Sequence, residues 1–146
     1  EIVHEQLVRA TEAALTPVLC VGEHERSADG THFAFIEEQL VSALRNSQSL
    51  VSKLVVAYEP VWAIGKTAVD AMAPNEVEET VIFIRKTLVD ILGRRDGIKV
   101  PILYGGSVEP ENAVKLLAEG GVNGFLVGHA SSQLDSFIEI LKVCKN

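Results

Sequence analysis

The sequence predicts an α/β fold built on a parallel sheet, and three observations point to it. Four short apolar runs, at residues 18–21, 53–58, 99–104 and 124–127, have the length of buried strands. Segments with apolar residues at helical spacing lie before, between and after them, giving the order α-β-α-β-α-β-α-β-α. Each run is closed by a nearby glycine or proline, so strands stop where loops begin. Strands that alternate with helices form right-handed βαβ units, and those units build a parallel sheet.

Taken in order, residues 1–15 place Val3, Leu7, Ala10 and Ala14 on one helical face. Thr16-Pro17 breaks that helix, and Val18-Leu19-Cys20-Val21 reads as a strand ending at Gly22. Polar residues 23–31 form a loop, after which Phe33, Ile36, Leu40 and Leu44 mark a second helix. A Ser/Asn/Gln-rich turn at 46–49 leads into strand 53–58. Pro74 suits the first position of a helix that carries Val77, Val81, Ile84, Leu88 and Ile91 on one stripe as far as Gly93. Arg94 to Gly97 turn the chain into strand 99–104. Pro110 opens a helix through Val114 and Leu117, and Gly120-Gly121 stop it. Strand 124–127 follows, and Leu134, Phe137, Ile138 and Leu141 face one side of a last helix. With no linker, charge block or low-complexity stretch, residues 1–146 read as one structural unit.

Composition narrows the function classes. The chain is 47% hydrophobic, yet no run approaches the ~18 apolar residues of a membrane span. A net charge of −7 disfavours nucleic acid and anionic membranes as partners. It does not disfavour a small phosphorylated ligand, which responds to the local field of its site. Glu76, Glu78 and Glu79 contribute to the excess and read as solvated residues of a helix first turn. Cys20 and Cys144 have no metal-ligand spacing; Cys20, in an apolar strand, reads as a buried and inert thiol. No secretory leader is visible and a reducing cytoplasm is expected. The first residue is Glu1, which suggests that a segment precedes it.

The chemistry concentrates after the second strand. Val55-Val56-Ala57-Tyr58 ends in Glu59 and then Pro60, which cannot donate to a sheet ladder. Ligands of parallel α/β folds bind outside the carboxyl ends of the strands, so a lone acid there is a candidate base. From spacing alone, a Glu that caps a helix or pairs with a lysine at the rim is the simpler reading. Gly65-Lys66-Thr67 mimics the tail of a nucleotide P-loop, but that motif needs a glycine where Pro60 stands. Gly105-Gly106-Ser107 and Gly128-His129 follow the last two strands. Singly these are ordinary turns; after successive strands they read as a phosphate cup.

Four segments in order decide between these readings. Leu19-Cys20-Val21-Gly22-Glu23, Tyr58-Glu59-Pro60-Val61-Trp62-Ala63-Ile64-Gly65, Tyr104-Gly105-Gly106-Ser107-Val108 and Gly124-Phe125-Leu126-Val127-Gly128 running into Ala130-Ser131 closely resemble triosephosphate isomerases. The resemblance covers the C-terminal half of that family's (β/α)₈ TIM barrel. It implies interconversion of dihydroxyacetone phosphate and glyceraldehyde 3-phosphate through an enediolate, with no metal and no organic cofactor. Glu59 would be the base, since a desolvated carboxylate can move a proton between carbons beside a carbonyl. Pro60, Val61, Trp62, Ala63, Ile64, Gly65, Lys66, Thr67 and Ala68 would form a lid that excludes water. Gly65, Ser107, Gly128 and His129 would hold the phosphate through backbone groups, with the Ser107 hydroxyl as a further donor.

The chain departs from the family in three places. The usual Ile-Gly-Thr-Gly-Lys-Thr-Ala is here Ile64-Gly65-Lys66-Thr67-Ala68, followed by Val69-Asp70-Ala71-Met72, so the far hinge of the lid is expected to have moved. His129 stands where a second glycine is common; its side chain is expected to point away from the phosphate. The family's catalytic histidine and substrate lysine belong to the other half, and no residue here matches them; Arg26 reads as structural. His4, His24 and His32 are assigned to helix or loop surfaces without chemistry.

Four strands leave edges and inward side chains uncovered, so the expected partner is the N-terminal half of the barrel or a second copy of this chain. The full-length protein would be a homodimer. Two alternatives remain: a non-catalytic phosphate-binding half-barrel, and another phosphate-binding barrel enzyme such as one of amino-acid biosynthesis.

Overall fold

The computed structural model describes residues 2–45, 53–66 and 71–145. Four strands, β1 (Val18–Val21), β2 (Val55–Tyr58), β3 (Ile102–Tyr104) and β4 (Gly124–Phe125), form one sheet in sequential order. All neighbours are parallel, and the register aligns Val21 with Tyr58 and Tyr58 with Tyr104. The helices are α1 (Ile2–Glu12), α2 (Thr31–Leu44), α3 (Pro74–Leu92), α4 (Arg94–Gly97), α5 (Pro110–Glu119) and α6 (Leu134–Val143). Two 3₁₀ turns, Val61–Ala63 and His129–Ser132, follow the carboxyl ends of β2 and β4.

The alternation of strand side chains divides the sheet into two faces. Leu19 and Val21, Val56 and Tyr58, Ile102 and Tyr104 point to the helices and are buried. They pack with Ile36 and Leu40 of α2, Val77, Ile84 and Leu88 of α3, and Leu116 of α5. The other row runs Cys20, Ala57, Leu103 and Gly124 across the four strands. Val18 is 44% exposed and Cys20 is also exposed, because the sheet does not close over its inner face. The expected buried Cys20 is therefore corrected: it lies on the row that a closed barrel would cover.

Most elements fall where periodicity placed them, with shorter ends. The α3 stripe is buried as expected, and Gly93 at φ 82 ends that helix. Glu76 accepts from the Ala73 N–H at 3.1 Å, capping the first turn. Residues 94–97 make a single helical turn rather than an open loop. Strand 99–104 contracts to Ile102–Tyr104, and 124–127 to two residues. The outer helices depart further: on α6 the buried residue is Ile140, whereas Leu134 is 75% exposed and Ile138 and Leu141 are exposed too. On α1, Leu7 is buried but Val3 is exposed, and Ala14 lies beyond the end of the helix and is exposed too. These edge helices have a neighbour within the chain on one side only. The turn expected at 46–49 lies outside the described residues.

Three polar assignments change as well. His32 is buried, with Nδ1 3.3 Å from Ser27 Oγ, not on the surface. Glu79 and Glu76 pair with Arg26 at 2.8 and 3.9 Å, so they are not merely solvated. Arg26 also donates to Thr80 at 3.2 Å, which ties the loop after β1 to α3 and fits its structural reading.

Candidate active site

The ladder continues one step past the strands. The Glu59 N–H donates to Val21 at 2.8 Å, and the Gly105 N–H donates to Tyr58 at 2.8 Å. Tyr58 points into the core, so Glu59 points to the inner face. It stands at the carboxyl end of β2 between Gly22 and Gly105 of the flanking strands. A Cβ at Gly105 would lie 2.5 Å from Glu59 Cγ, and a Cβ at Gly22 would lie 1.8 Å from the Glu59 carbonyl oxygen. Side chains larger than hydrogen on either neighbour are incompatible with this seat. Among the described residues no ion pair involves Glu59. The rim-pairing reading of this acid thus finds no partner.

Cys20 faces the same carboxylate. Although Cys20 is exposed, partial desolvation pushes its thiol up to about 12, and hydrogen bonding to Glu59 and the charge of Glu59 act in the same direction. The thiol therefore stays protonated at neutral pH and is not a nucleophile.

Behind Glu59 lies a buried polar node that sequence reading missed. Glu23 is 1% exposed, and its Oε1 accepts from Tyr58 at 3.0 Å and from the Trp62 indole at 2.8 Å. Its main-chain oxygen accepts from Val61 at 2.9 Å. Burial first, then the Glu23 charge, raises the Tyr58 hydroxyl far above its ordinary value. Met72 Sδ lies 3.5 Å from the same hydroxyl, but one proton serves one acceptor, and the charged carboxylate is nearer. The only sequence signal for this node was an acid directly after an apolar strand and glycine, in Val21-Gly22-Glu23.

The node and Ser107 together hold the start of the expected lid. Ser107 Oγ donates to the Ala63 carbonyl at 2.8 Å, so its hydroxyl proton is engaged with this segment. Its backbone N–H is a separate group. Pro60 is buried, Trp62 half-buried, and Val61 and Ile64 exposed. Thr67 and Ala68 lie outside the described residues.

Beside the lid is a cavity of about 610 Å³ lined by Ile64, Gly65, Lys66, Gly105, Gly106, Ser107, Val108, Glu109, Glu111, Gly128 and His129. All four expected phosphate residues meet there. A second cavity of similar size, lined by Ile2, Val3, Leu19 and Cys20, lies along the open edge at α1 and β1. Gln39 and Ser42 are its polar lining beside Cys20, and the rest of the wall is apolar. Among the described residues no group of His, Cys, Asp and Glu could hold a metal ion.

Four consecutive parallel strands with alternating helices, an acid at a strand's carboxyl end and glycine loops after the next two strands make this part of a (β/α)₈ barrel. A triosephosphate isomerase family model matches residues 1–144. The triosephosphate isomerase of Alkalilimnicola ehrlichii is 40% identical over 148 residues, covering 99% of this chain and 58% of that protein. That of Aquifex aeolicus is 41% identical over 143 residues, covering 97% and 56%. The crystal structure of triosephosphate isomerase from Bartonella henselae superposes with a TM-score of 0.83 at 32% identity, over 99% of this chain and 57% of that one. The chain belongs to the triosephosphate isomerase family, and it spans a little over half the length of the relatives it matches.

Proposed function

We propose that this chain, joined to the other half of its barrel, interconverts dihydroxyacetone phosphate and D-glyceraldehyde 3-phosphate. The observation that carries this reading is the seat of Glu59, fixed between two glycines and next to a glycine-lined cavity. Glu59 takes a proton from the carbon beside the carbonyl and returns it to the neighbouring carbon, through an enediolate. Backbone N–H groups of Gly65, Ser107, Gly128 and His129 hold the phosphate, and residues 61–68 exclude water. The Cys20 thiol keeps its proton and leaves Glu59 as the only base on the inner row among the described residues. The reaction needs no metal or organic cofactor from these residues. The family's histidine and lysine have no counterpart in this chain and come from the other half. The completed protein is a homodimer of the cytoplasm in this reading; no described helix is long and apolar enough to cross a membrane.

Isomerase turnover of the chain alone, and after mixing with the other half from the same source, tests the proposal. Loss of oxyanion donors commonly costs ~10²–10³ in rate, so the chain alone should be nearly inactive and mixing should restore turnover. In the restored enzyme, Glu59→Asp should cut turnover heavily while phosphate affinity changes little. Turnover that survives this substitution would show that another group is the base. Phosphate binding without any turnover on mixing would favour the second reading, a non-catalytic half-barrel, for which the missing histidine and lysine speak.

A further inference from the structure

We propose that His129 makes the phosphate cup sensitive to pH through its side chain, an inference that rests on the cup reading above. His129 is the first residue of the 3₁₀ turn after β4, is exposed, and lines the same cavity as Gly65, Ser107 and Gly128. Its main chain is anchored: the carbonyl accepts from Ser132 Oγ at 2.8 Å, and Gly128 accepts from Ser131. Among the described residues no hydrogen bond, ring contact or ion pair holds its imidazole, which is left to turn toward a bound anion.

The charges around the cavity give that side chain leverage. From the segment after β2 comes Lys66, from the loop before α5 and its first turn come Glu109 and Glu111, and α6, which packs against the turn of His129, brings Asp135 in its first turn outside the cavity wall. With a neutral His129 the wall therefore carries one more acidic than basic side chain, a poor field for a phosphate dianion. An imidazolium balances it and adds an N–H donor. Histidine is the side chain that gains this charge between pH 8 and 5. A glycine at this position would supply the backbone N–H and nothing more.

The test is binding of inorganic phosphate to the 146-residue chain at pH 5.5 and pH 8, followed by calorimetry and by the amide resonances of Ser107 and Gly128. Wild type is compared with His129→Gln, which keeps size and loses the charge, and His129→Lys, which fixes it. The protonation of free phosphate is common to all three, so at each pH the variants are compared against the same mixture of monoanion and dianion. An exposed charge pair supports about a three- to fivefold advantage of wild type over His129→Gln at pH 5.5, falling to about onefold at pH 8. The lysine variant should keep the advantage at both pH values, and added salt should shrink it. A wild-type to glutamine ratio that does not change with pH would overturn the inference while leaving the cup intact. Absence of phosphate binding in every variant would instead remove the cup, and this inference with it. His129 is exposed, so its variants should fold, and circular dichroism checks that they do.

Discussion

Gly105→Ala isolates the seat of the base more cleanly than replacing the base. The backbone of Gly105 has no positive φ, so alanine meets no conformational penalty there. What it meets is Glu59: a Cβ at this position would lie 2.5 Å from Cγ and 3.2 Å from Cδ. Carbon atoms pack at roughly 3.5–4 Å, so the side chain must retreat by about 1 Å. Overpacking of a core costs ~1–3 kcal/mol, and a half-buried flexible Glu should place this change near the low end, about 1 kcal/mol. The effect on catalysis should be much larger, because a misplacement of ~1 Å can cost about 10²-fold. Urea unfolding of the chain gives the first quantity, and turnover of the enzyme restored from both halves gives the second. Gly22→Ala is the contrasting control. Its Cβ would meet the Glu59 carbonyl oxygen at 1.8 Å, so main chain must move and stability should fall further. Turnover of Gly105→Ala within about twofold of the parent would refute the idea that the flanking glycine sets the position of the acid.

Three further changes probe the surroundings of Glu59. Glu23→Ala strands the Tyr58 hydroxyl and the Trp62 indole in a buried pocket, at about 1–3 kcal/mol for each unsatisfied donor; Trp62 is the only tryptophan, so its emission should shift to the red, and unchanged emission would deny the clamp. Ser107→Ala removes the donor to the Ala63 carbonyl and should lower unfolding stability by about 1 kcal/mol while leaving phosphate affinity within about twofold; a larger loss of affinity would mean that the hydroxyl serves the phosphate. With Cys144→Ser as background, Cys20 should alkylate slowly at pH 8 and faster as pH approaches about 12, and Glu59→Gln should speed it by removing a charge that opposes the thiolate. The folded chain keeps this proton above the thiol's ordinary value of 9.0, where the unfolded chain loses it, so stability should decline as pH rises from there towards about 12.

The features legible in the sequence are those with a short period or a rigid residue. The stripe from Val77 to Leu88 declares α3, and Pro60 and Gly93 mark where a strand and a helix stop. The place of Glu59 at the carboxyl end of β2 was legible from the apolar run and Pro60, whereas its reading as a base came from the family resemblance, since spacing alone favoured a capping or paired acid. Glu23 was not read, although it too follows an apolar strand: its partners Tyr58 and Trp62 are more than thirty residues away, and only the register of β1 against β2 brings them together. Cys20 was misread for a related reason. Apolar neighbours in sequence do not say which face a strand residue takes, and the inner face is open at β1, although Ala57 beside it is buried. Ser107 was placed in the correct loop, but whether its hydroxyl turns to Ala63 or to a ligand depends on a hydrogen bond across forty-four positions.

The division of labour within the half-barrel follows from which contacts are local. Glu59 is positioned by Gly22 and Gly105, which directly follow β1 and β3, and both strands belong to this chain. The cavity is likewise built from the loops after β2, β3 and β4. Neither depends on a contact across the barrel axis. The open inner row is different: Val18 and Cys20 stay accessible, and so does the approach to Glu59, until something covers them. On the isomerase reading, anion binding is therefore a property of this chain, whereas water exclusion and polarisation of the carbonyl come from the opposite wall. Phosphate affinity of the chain alone should lie within about tenfold of that of the restored enzyme, while turnover differs by ~10² or more. If affinity and turnover rise together on mixing, the cup is not preformed in this half, and the local account of the site fails at the cavity while standing at Glu59.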